Sequence, residues 1–93
     1  MTTDQLKPFR ILIRSSNWLG DAVMSVPAVR AIKRGRPDAH VTVVTSPELA
    51  AVWKLVAEVD EVITADTGSV LSVVRTVRRQ PPFDAAILFP NSL

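Results

Sequence analysis

Residues 15–21 have the sequence SSNWLGD and join a strand pattern to a helix pattern. The run before them, 9–13 (FRILI), is largely apolar at both odd and even positions, which is typical of a strand buried on both faces. The segment after them, 22–34, has apolar residues at helical spacing. In α/β proteins, a turn that leads from a strand into a helix is where ligands and reactive groups are placed.

This turn has one glycine, Gly20, and ends in a carboxylate, Asp21. A dinucleotide-binding turn has three glycines at G-x-G-x-x-G spacing, so that the backbone can approach a pyrophosphate. A helix N-terminus attracts anions, but Asp21 already supplies one and would repel another. The turn is therefore predicted to hold a reactive or binding carboxylate and not a phosphate.

The rest of the chain alternates between strand and helix patterns. Strands are predicted at 9–13, 41–45, 61–64 and 84–89, and helices at 19–34, at 47–57 and from 69 to the prolines at 81 and 82. The third helix is predicted to bury Val70, Val73, Val74 and Val77. This alternation predicts a Rossmann-like α/β fold, with a parallel sheet covered by helices on both faces. The expected strand order is 3-2-1-4, so ligands should bind where residues 15–21 meet the turn at 90–92.

Composition excludes several classes of protein. The 93 residues are enough for one small domain, and a net charge of +2 does not indicate a nucleic-acid partner. With no cysteine and one histidine, no disulfide framework and no thiolate or histidine-rich metal site is expected. No signal-peptide pattern and no apolar run of roughly 20 residues occurs, which predicts a cytoplasmic protein.

Two groups of residues resemble glycosyltransferase family 9, in particular its lipopolysaccharide heptosyltransferases of the heptosyltransferase II type. The first group is ILIR at 11–14, NWLGDAVMS at 17–25 and PAVR at 27–30. The second is FD at 83–84 with FPNS at 89–92, which looks like that subgroup's F-D-x-A-x-x-L-P-N-S. Phe89 stands where leucine is commoner. The resemblance covers residues 10–93, the first part of such an enzyme.

The resemblance implies a GT-B architecture, in which two Rossmann-like domains face each other across a cleft. Residues 1–93 would be part of the N-terminal, acceptor-side domain, and the C-terminal domain that binds the nucleotide sugar would be absent. The implied reaction is inverting transfer of heptose from ADP-heptose to the inner core of lipopolysaccharide, without a metal or cofactor. The 93 residues by themselves are expected to be inactive.

The resemblance makes Asp21 the candidate general base. This agrees with the position of its carboxylate at a helix N-terminus, where the ionised form is favoured. By position alone, however, Asp21 is more often a helix cap. The expected acceptor-binding residues are Asn17, Trp18, Gly20, Asn91 and Ser92. Turn formation would also explain Asn17, packing beside Leu19 would explain Trp18, and ordinary loop positions would explain Asn91 and Ser92.

Two other functions remain open. Asp66-Thr67-Gly68 matches the D-T-G triplet of aspartic proteases, whose paired aspartates share a proton, but that scaffold is all-β and here the triplet lies between a strand and a helix. A non-catalytic flavodoxin-like or receiver-like module would also fit the alternation of strands and helices. In a receiver, Asp21 and Asp66 would be roughly at the acidic positions.

Charged and edge residues suggest further contacts. The basic cluster Arg30, Lys33, Arg34 and Arg36 would fit peripheral contact with the inner face of the inner membrane, although such a run is more often the solvated end of a helix. Three roles are open for Arg14: pairing with Asp21, contact with an acidic acceptor, or a plain surface position. The fourth strand would be an unpaired edge, which favours association with another chain.

Overall fold

The structure is a computed structural model, and it describes residues 9–89. In chain order its elements are β1 (Phe9–Arg14), α1 (Leu19–Gly35), β2 (Ala39–Thr45), α2 (Pro47–Lys54), β3 (Glu61–Thr64), α3 (Val70–Arg78) and β4 (Ala85–Leu88). The strands form one sheet in the order β3-β2-β1-β4, and every neighbouring pair is parallel. The predicted fold class and strand order are confirmed.

This strand order separates the fold from the flavodoxin-like alternative. In flavodoxin and receiver folds the third strand lies beside the first, giving the order 2-1-3-4-5. Here β1 lies between β2 and β4, and β3 pairs with β2 at the sheet edge. The topology is therefore that of the Rossmann-type half-domain, with the reversal of strand order between β1 and β4.

The main core lies between the sheet and the helices α1 and α2. Both crossovers, β1-α1-β2 and β2-α2-β3, move the same way across the sheet, so right-handed connections place both helices on one face. Side chains at odd positions of β1 and β2 point to this face because strand residues alternate. The buried cluster there contains Ile11, Ile13, Ala22, Val29, Ala39, Val41, Val43, Leu49, Trp53 and Val56.

The opposite face of the sheet has a smaller core. Leu12, Val44 and Ala65 are buried there, with Val77 of α3 and Phe83 packed against them. The crossover through α3 returns across the sheet from β3 to β4, so the same handedness rule places α3 on this face.

The prediction that α3 buries four valines is wrong. None of its nine residues, all of which the structure describes, is buried, and Val70 at its start is 81% exposed. Only Val77, near the end of the helix, contacts the small second cluster. The valine spacing correctly indicates a helix, but periodicity cannot show how much apolar surface lies opposite. On this face the sheet offers Leu12, Val44 and Ala65 as buried apolar partners, too few to cover the whole stripe.

The basic cluster on α1 is largely paired within the chain. Arg30 lies 3.2 Å from Glu58 and Arg36 lies 3.2 Å from Asp38. Lys33 donates to Oδ2 of Asp60 at 2.8 Å, and the same oxygen accepts from the Val41 amide at 2.8 Å. Burial raises the pKa of Asp60, but the hydrogen bonds from Lys33 and Val41 outweigh it and hold this pKa below its usual value.

These ion pairs lie at the amino ends of the strands, on the edge of the sheet opposite the turn at 15–21. Asp60 links the end of α1 to the start of β2, because its carboxylate accepts hydrogen bonds from both Lys33 and the Val41 amide. The pairing gives a structural reason for three of the four basic residues, whether or not the surface also contacts a membrane.

Candidate functional site

The turn after β1 is anchored in the core by two serines. Ser15 and Ser16 are both buried, unlike the exposed residues that follow them. The Ser15 amide donates to the Val44 carbonyl at 3.0 Å, which continues the β1–β2 ladder by one residue. The Ser15 hydroxyl donates to the Ser16 carbonyl at 2.8 Å and accepts from the indole Nε1 of Trp53 at 2.8 Å. The sheet and α2 together therefore fix the position of the turn.

Helix α1 begins directly from this anchored turn. Trp18 occupies the N-cap position in an extended conformation, and its amide donates to Oγ of Ser16 at 3.2 Å. Asp21 is therefore the third residue of the helix. The alternative interpretation, in which Asp21 is the N-cap residue, is wrong. In this first turn the macrodipole still stabilises a carboxylate. Asp21 is half-buried, between the exposed residues 17–20 and the buried Ala22.

The residues around Asp21 are open to solvent. Trp18 is 59% exposed and Leu19 is 57% exposed, so packing between them does not bury either side chain in the core. Asn17 and Gly20 are exposed as well. The surface beside the carboxylate thus presents an indole, a carboxamide and a stretch of bare backbone, all of which can contact a sugar.

The backbone at Gly20 does not by itself require glycine. Its φ is negative, and a Cβ atom built there would meet no atom of residues 9–89 within 4 Å. Glycine inside a helix costs about 1 kcal/mol relative to alanine. A glycine with this cost and no local steric reason is consistent with close approach of something outside the described chain.

The loop between β3 and α3 contributes to the same edge of the sheet. A guanidinium nitrogen of Arg14, Nη2, donates to the Thr67 carbonyl at 3.0 Å, and the Thr67 hydroxyl donates to Oδ1 of Asn17. Thr67 is buried although it lies in a loop. The prediction from sequence placed Thr67 only in the D-T-G triplet and missed this contact. The available signal was its position just after β3, because the carboxyl ends of parallel strands meet at one edge.

The Asp66-Thr67-Gly68 segment forms a turn that leads into α3. Oδ1 of Asp66 accepts from the Gly68 amide at 3.1 Å, and the Asp66 carbonyl accepts from the Ser69 amide at 3.0 Å. Ser69 then caps α3, because its hydroxyl accepts from the Ser72 amide. The parallel α/β sheet is incompatible with the all-β scaffold of an aspartic protease, and Asp66 here has a structural role.

The end of β4 also lies beside the turn. The Phe89 amide donates to the Arg14 carbonyl at 3.1 Å, so the carboxyl ends of β1 and β4 are adjacent, as the strand order predicts. The predicted acceptor-binding residues Asn91 and Ser92 lie outside the described residues. The structure thus brings Asn17, Trp18, Gly20 and Asp21 together at this edge and adds Arg14 and Thr67 to them.

Residues 9–89 contain neither a metal-ligating cluster nor a membrane-spanning helix. In this part of the chain no group of three or more histidine, cysteine, aspartate or glutamate side chains could hold a metal ion. No helix in the same range is long and apolar enough to cross a membrane.

Two solved structures are similar to the chain. The crystal structure of the glycosyl transferase family 9 from Veillonella parvula DSM 2008 has a TM-score of 0.79 and 21% identity, over 92% of this chain and 27% of that one. The structure of E. coli ADP-heptose lps heptosyltransferase II has a TM-score of 0.74 and 26% identity, over 89% of this chain and 25% of that one. No family model and no curated protein matches the chain.

Both likenesses confirm the Rossmann-like fold, and the second confirms the predicted resemblance to family 9 heptosyltransferases. The chain spans about a quarter of the length of each of these structures.

Proposed function

We propose that this chain is the acceptor-side part of an inverting glycosyltransferase that transfers heptose from ADP-heptose to the inner core of lipopolysaccharide. The observation that carries the proposal is the position of Asp21. Its carboxylate lies in the first turn of α1, at the carboxyl edge of the central strand and among exposed residues that suit a sugar. The likeness to a heptosyltransferase supports the choice of donor.

The chemistry requires a general base at such a position, and a carboxylate can serve as one. In inverting transfer, an acceptor hydroxyl oxygen bonds to the anomeric carbon from the face opposite the leaving ADP. The bond from that carbon to the phosphate oxygen breaks, and ADP takes its electron pair. A base must remove the hydroxyl proton as the oxygen attacks, and a carboxyl group must be ionised to do so. The N-terminal turn of α1 favours the ionised form of Asp21, so we assign it this role.

The neighbouring residues would bind and orient the acceptor. The exposed indole of Trp18 offers a flat apolar surface to one face of a sugar ring. Asn17 can hydrogen-bond to sugar oxygens, and the open backbone at Gly20 permits close approach. Asn91 and Ser92 remain predicted acceptor contacts. The donor ADP-heptose would bind mainly to the C-terminal domain of such an enzyme, outside the quarter of its length that this chain spans, and neither domain would use a metal or cofactor.

The proposed acceptor also indicates where the enzyme works. The inner core is attached to a membrane lipid, so we propose a cytoplasmic protein with peripheral contact at the inner face of the inner membrane.

We also propose that strand β4 associates with another chain. Its only partner among the described strands is β1, and Leu88 at its end is 67% exposed, so its outer edge could pair with another strand.

Transfer assays with the full-length protein test the proposal directly. We expect heptose transfer from ADP-heptose to a truncated inner-core acceptor, with inversion of the anomeric centre seen by NMR. ADP-glucose and UDP-glucose serve as donor controls and should give much less product. We expect no transfer by the 93-residue chain alone. Retention of configuration, or a preference for another donor, would contradict the assignment.

Replacement of Gly20 by alanine separates a structural from a functional role. The Cβ atom has open space, so stability should stay equal or rise by up to about 1 kcal/mol. If the acceptor packs against this backbone, the added methyl group should raise the acceptor KM about 10-fold or more, because crowding a tight contact costs roughly 1 to 3 kcal/mol. Steady-state kinetics and thermal unfolding measure the two effects.

Gly35 provides the matched control for this experiment. It lies at the other end of α1, and a Cβ atom there also meets nothing within 4 Å among residues 9–89. Gly35→Ala should therefore leave the acceptor KM unchanged. If wild type and Gly20→Ala have the same acceptor KM, the acceptor does not pack against Gly20.

A further inference from the structure

We infer that Thr67 is a positioning residue, whose hydroxyl orients the Asn17 carboxamide at the acceptor edge of the sheet. Its effect on sugar transfer rests on the proposed function, whereas its effect on the orientation of Asn17 does not. The sequence pattern placed Thr67 only in the D-T-G triplet, and the family resemblance assigned no role to Thr67 or to the contact between Arg14 and this loop.

The inference starts from the way Thr67 is held on two sides. Its carbonyl accepts from the Arg14 guanidinium at 3.0 Å, and its hydroxyl donates to Oδ1 of Asn17. It is only 6% exposed, whereas its neighbours Asp66 and Gly68 are exposed. Thr67 is thus buried between two exposed residues, and both its carbonyl and its hydroxyl form hydrogen bonds. These hydrogen bonds explain why a polar residue is buried at this position.

The two contacts join parts of the fold that are not adjacent. Strand β2 lies between β1 and β3, so the ends of β1 and β3 are separated by about two strand spacings, or roughly 10 Å. Arg14 reaches across this gap from the end of β1 and fixes the Thr67 backbone. Thr67 then returns a hydrogen bond to Asn17, three residues after Arg14. The turn and the loop are thereby locked together at the sheet edge.

Asn17 is the residue whose carboxamide this contact orients. Its side chain is exposed, so core packing does not hold it as it holds Ser15 and Ser16. When Oδ1 accepts from Thr67, the carboxamide is oriented with its NH₂ group on the side away from Thr67. Oxygen atoms cover a sugar acceptor, and this orientation makes Asn17 a donor to one of them.

The loop itself does not depend on the Thr67 hydroxyl. Its turn is closed by the hydrogen bonds from the Gly68 and Ser69 amides to Asp66, and by the bond from the Asp66 amide to Oγ of Ser72. Removal of the hydroxyl should therefore remove this one constraint on Asn17 without unfolding the loop. This separation makes the inference testable.

The test uses Thr67→Val, which removes the hydroxyl at nearly constant shape, and Thr67→Ser, which keeps it. In the full-length protein, the side-chain amide resonances of Asn17 are assigned by their loss in Asn17→Asp. We expect Thr67→Val to shift these resonances and Thr67→Ser to restore them. We also expect Thr67→Val to raise the acceptor KM about 5- to 30-fold, the effect of one lost hydrogen bond, with the donor KM unchanged.

Thr76→Val is the matched control. The Thr76 hydroxyl donates to the Ser72 carbonyl at 2.9 Å within α3, so its loss should affect neither the Asn17 resonances nor the acceptor KM. Unchanged Asn17 resonances in Thr67→Val would overturn the inference. So would a shift of these resonances without any change in acceptor KM in an active enzyme. If no variant transfers sugar but the resonances shift and recover as expected, the proposed function fails and the orientation of Asn17 by Thr67 stands.

Discussion

Asparagine at position 21 should lower the turnover of the full-length enzyme roughly 10²- to 10⁴-fold, the usual effect of removing a general base. An amide has nearly the shape of a carboxylate but cannot take up the acceptor's proton at neutral pH. Asp21 is the third residue of α1, so the substitution also removes one favourable charge near the helix N-terminus. That change should destabilise the fold by about 1 kcal/mol at most. Activity and stability should therefore respond very differently.

The measurement pairs the transfer rate with a thermal melt, because a rate lost through unfolding would say nothing about catalysis. Asp66→Asn is the matched control. Asp66 is an acid at the same edge of the sheet, and its contact with the Gly68 amide needs only an oxygen acceptor, which asparagine retains. Asp66→Asn should keep most of the activity. Full turnover by a folded Asp21→Asn enzyme would end the catalytic assignment and leave Asp21 with a helix-stabilising role.

Replacement of Trp53 by alanine should destabilise the domain by about 3 to 5 kcal/mol. Trp53 is the largest fully buried side chain, and it packs in the main core between α2 and the sheet. Its truncation leaves a cavity and also removes the indole donor from Ser15. The predicted loss is a large share of the free energy of unfolding of a typical domain, which is about 5 to 15 kcal/mol.

Hydrogen exchange of the β1 and β2 amides in the full-length protein measures this effect, because these central amides exchange when the domain opens. Trp53→Phe keeps most of the bulk but loses the hydrogen bond, so we expect about 1 to 2 kcal/mol. It also serves as the readout if Trp53→Ala is too unstable to purify. Leu55→Ala is the control, since Leu55 is 86% exposed and should change stability by less than about 0.5 kcal/mol. If the β1 and β2 amides exchange at equal rates in Trp53→Phe and wild type, the hydrogen bond between Trp53 and Ser15 does not stabilise the domain.

The amino-acid sequence by itself determined the fold class and the position of the turn at residues 15–21 within it. The alternation of strand and helix patterns predicted the parallel sheet, and the usual doubly wound arrangement supplied the order β3-β2-β1-β4, which the structure confirms. The same reasoning placed residues 15–21 at the carboxyl edge of the central strand. These features follow from local periodicity and chain connectivity, which a sequence displays directly.

Only the tertiary structure decided which residues support the site. The contacts of Ser15 with Trp53, of Arg14 with Thr67 and of Thr67 with Asn17 span 38, 53 and 50 residues. Their partners are ordinary polar groups whose meeting depends on how helices and loops pack, and no local pattern marks them. The exposed valines of α3 have the same cause, because periodicity identifies the apolar face of a helix but not the area of sheet that lies beneath it. Secondary structure depends on interactions between residues that are close in sequence, whereas these long-range contacts arise only when the whole domain packs.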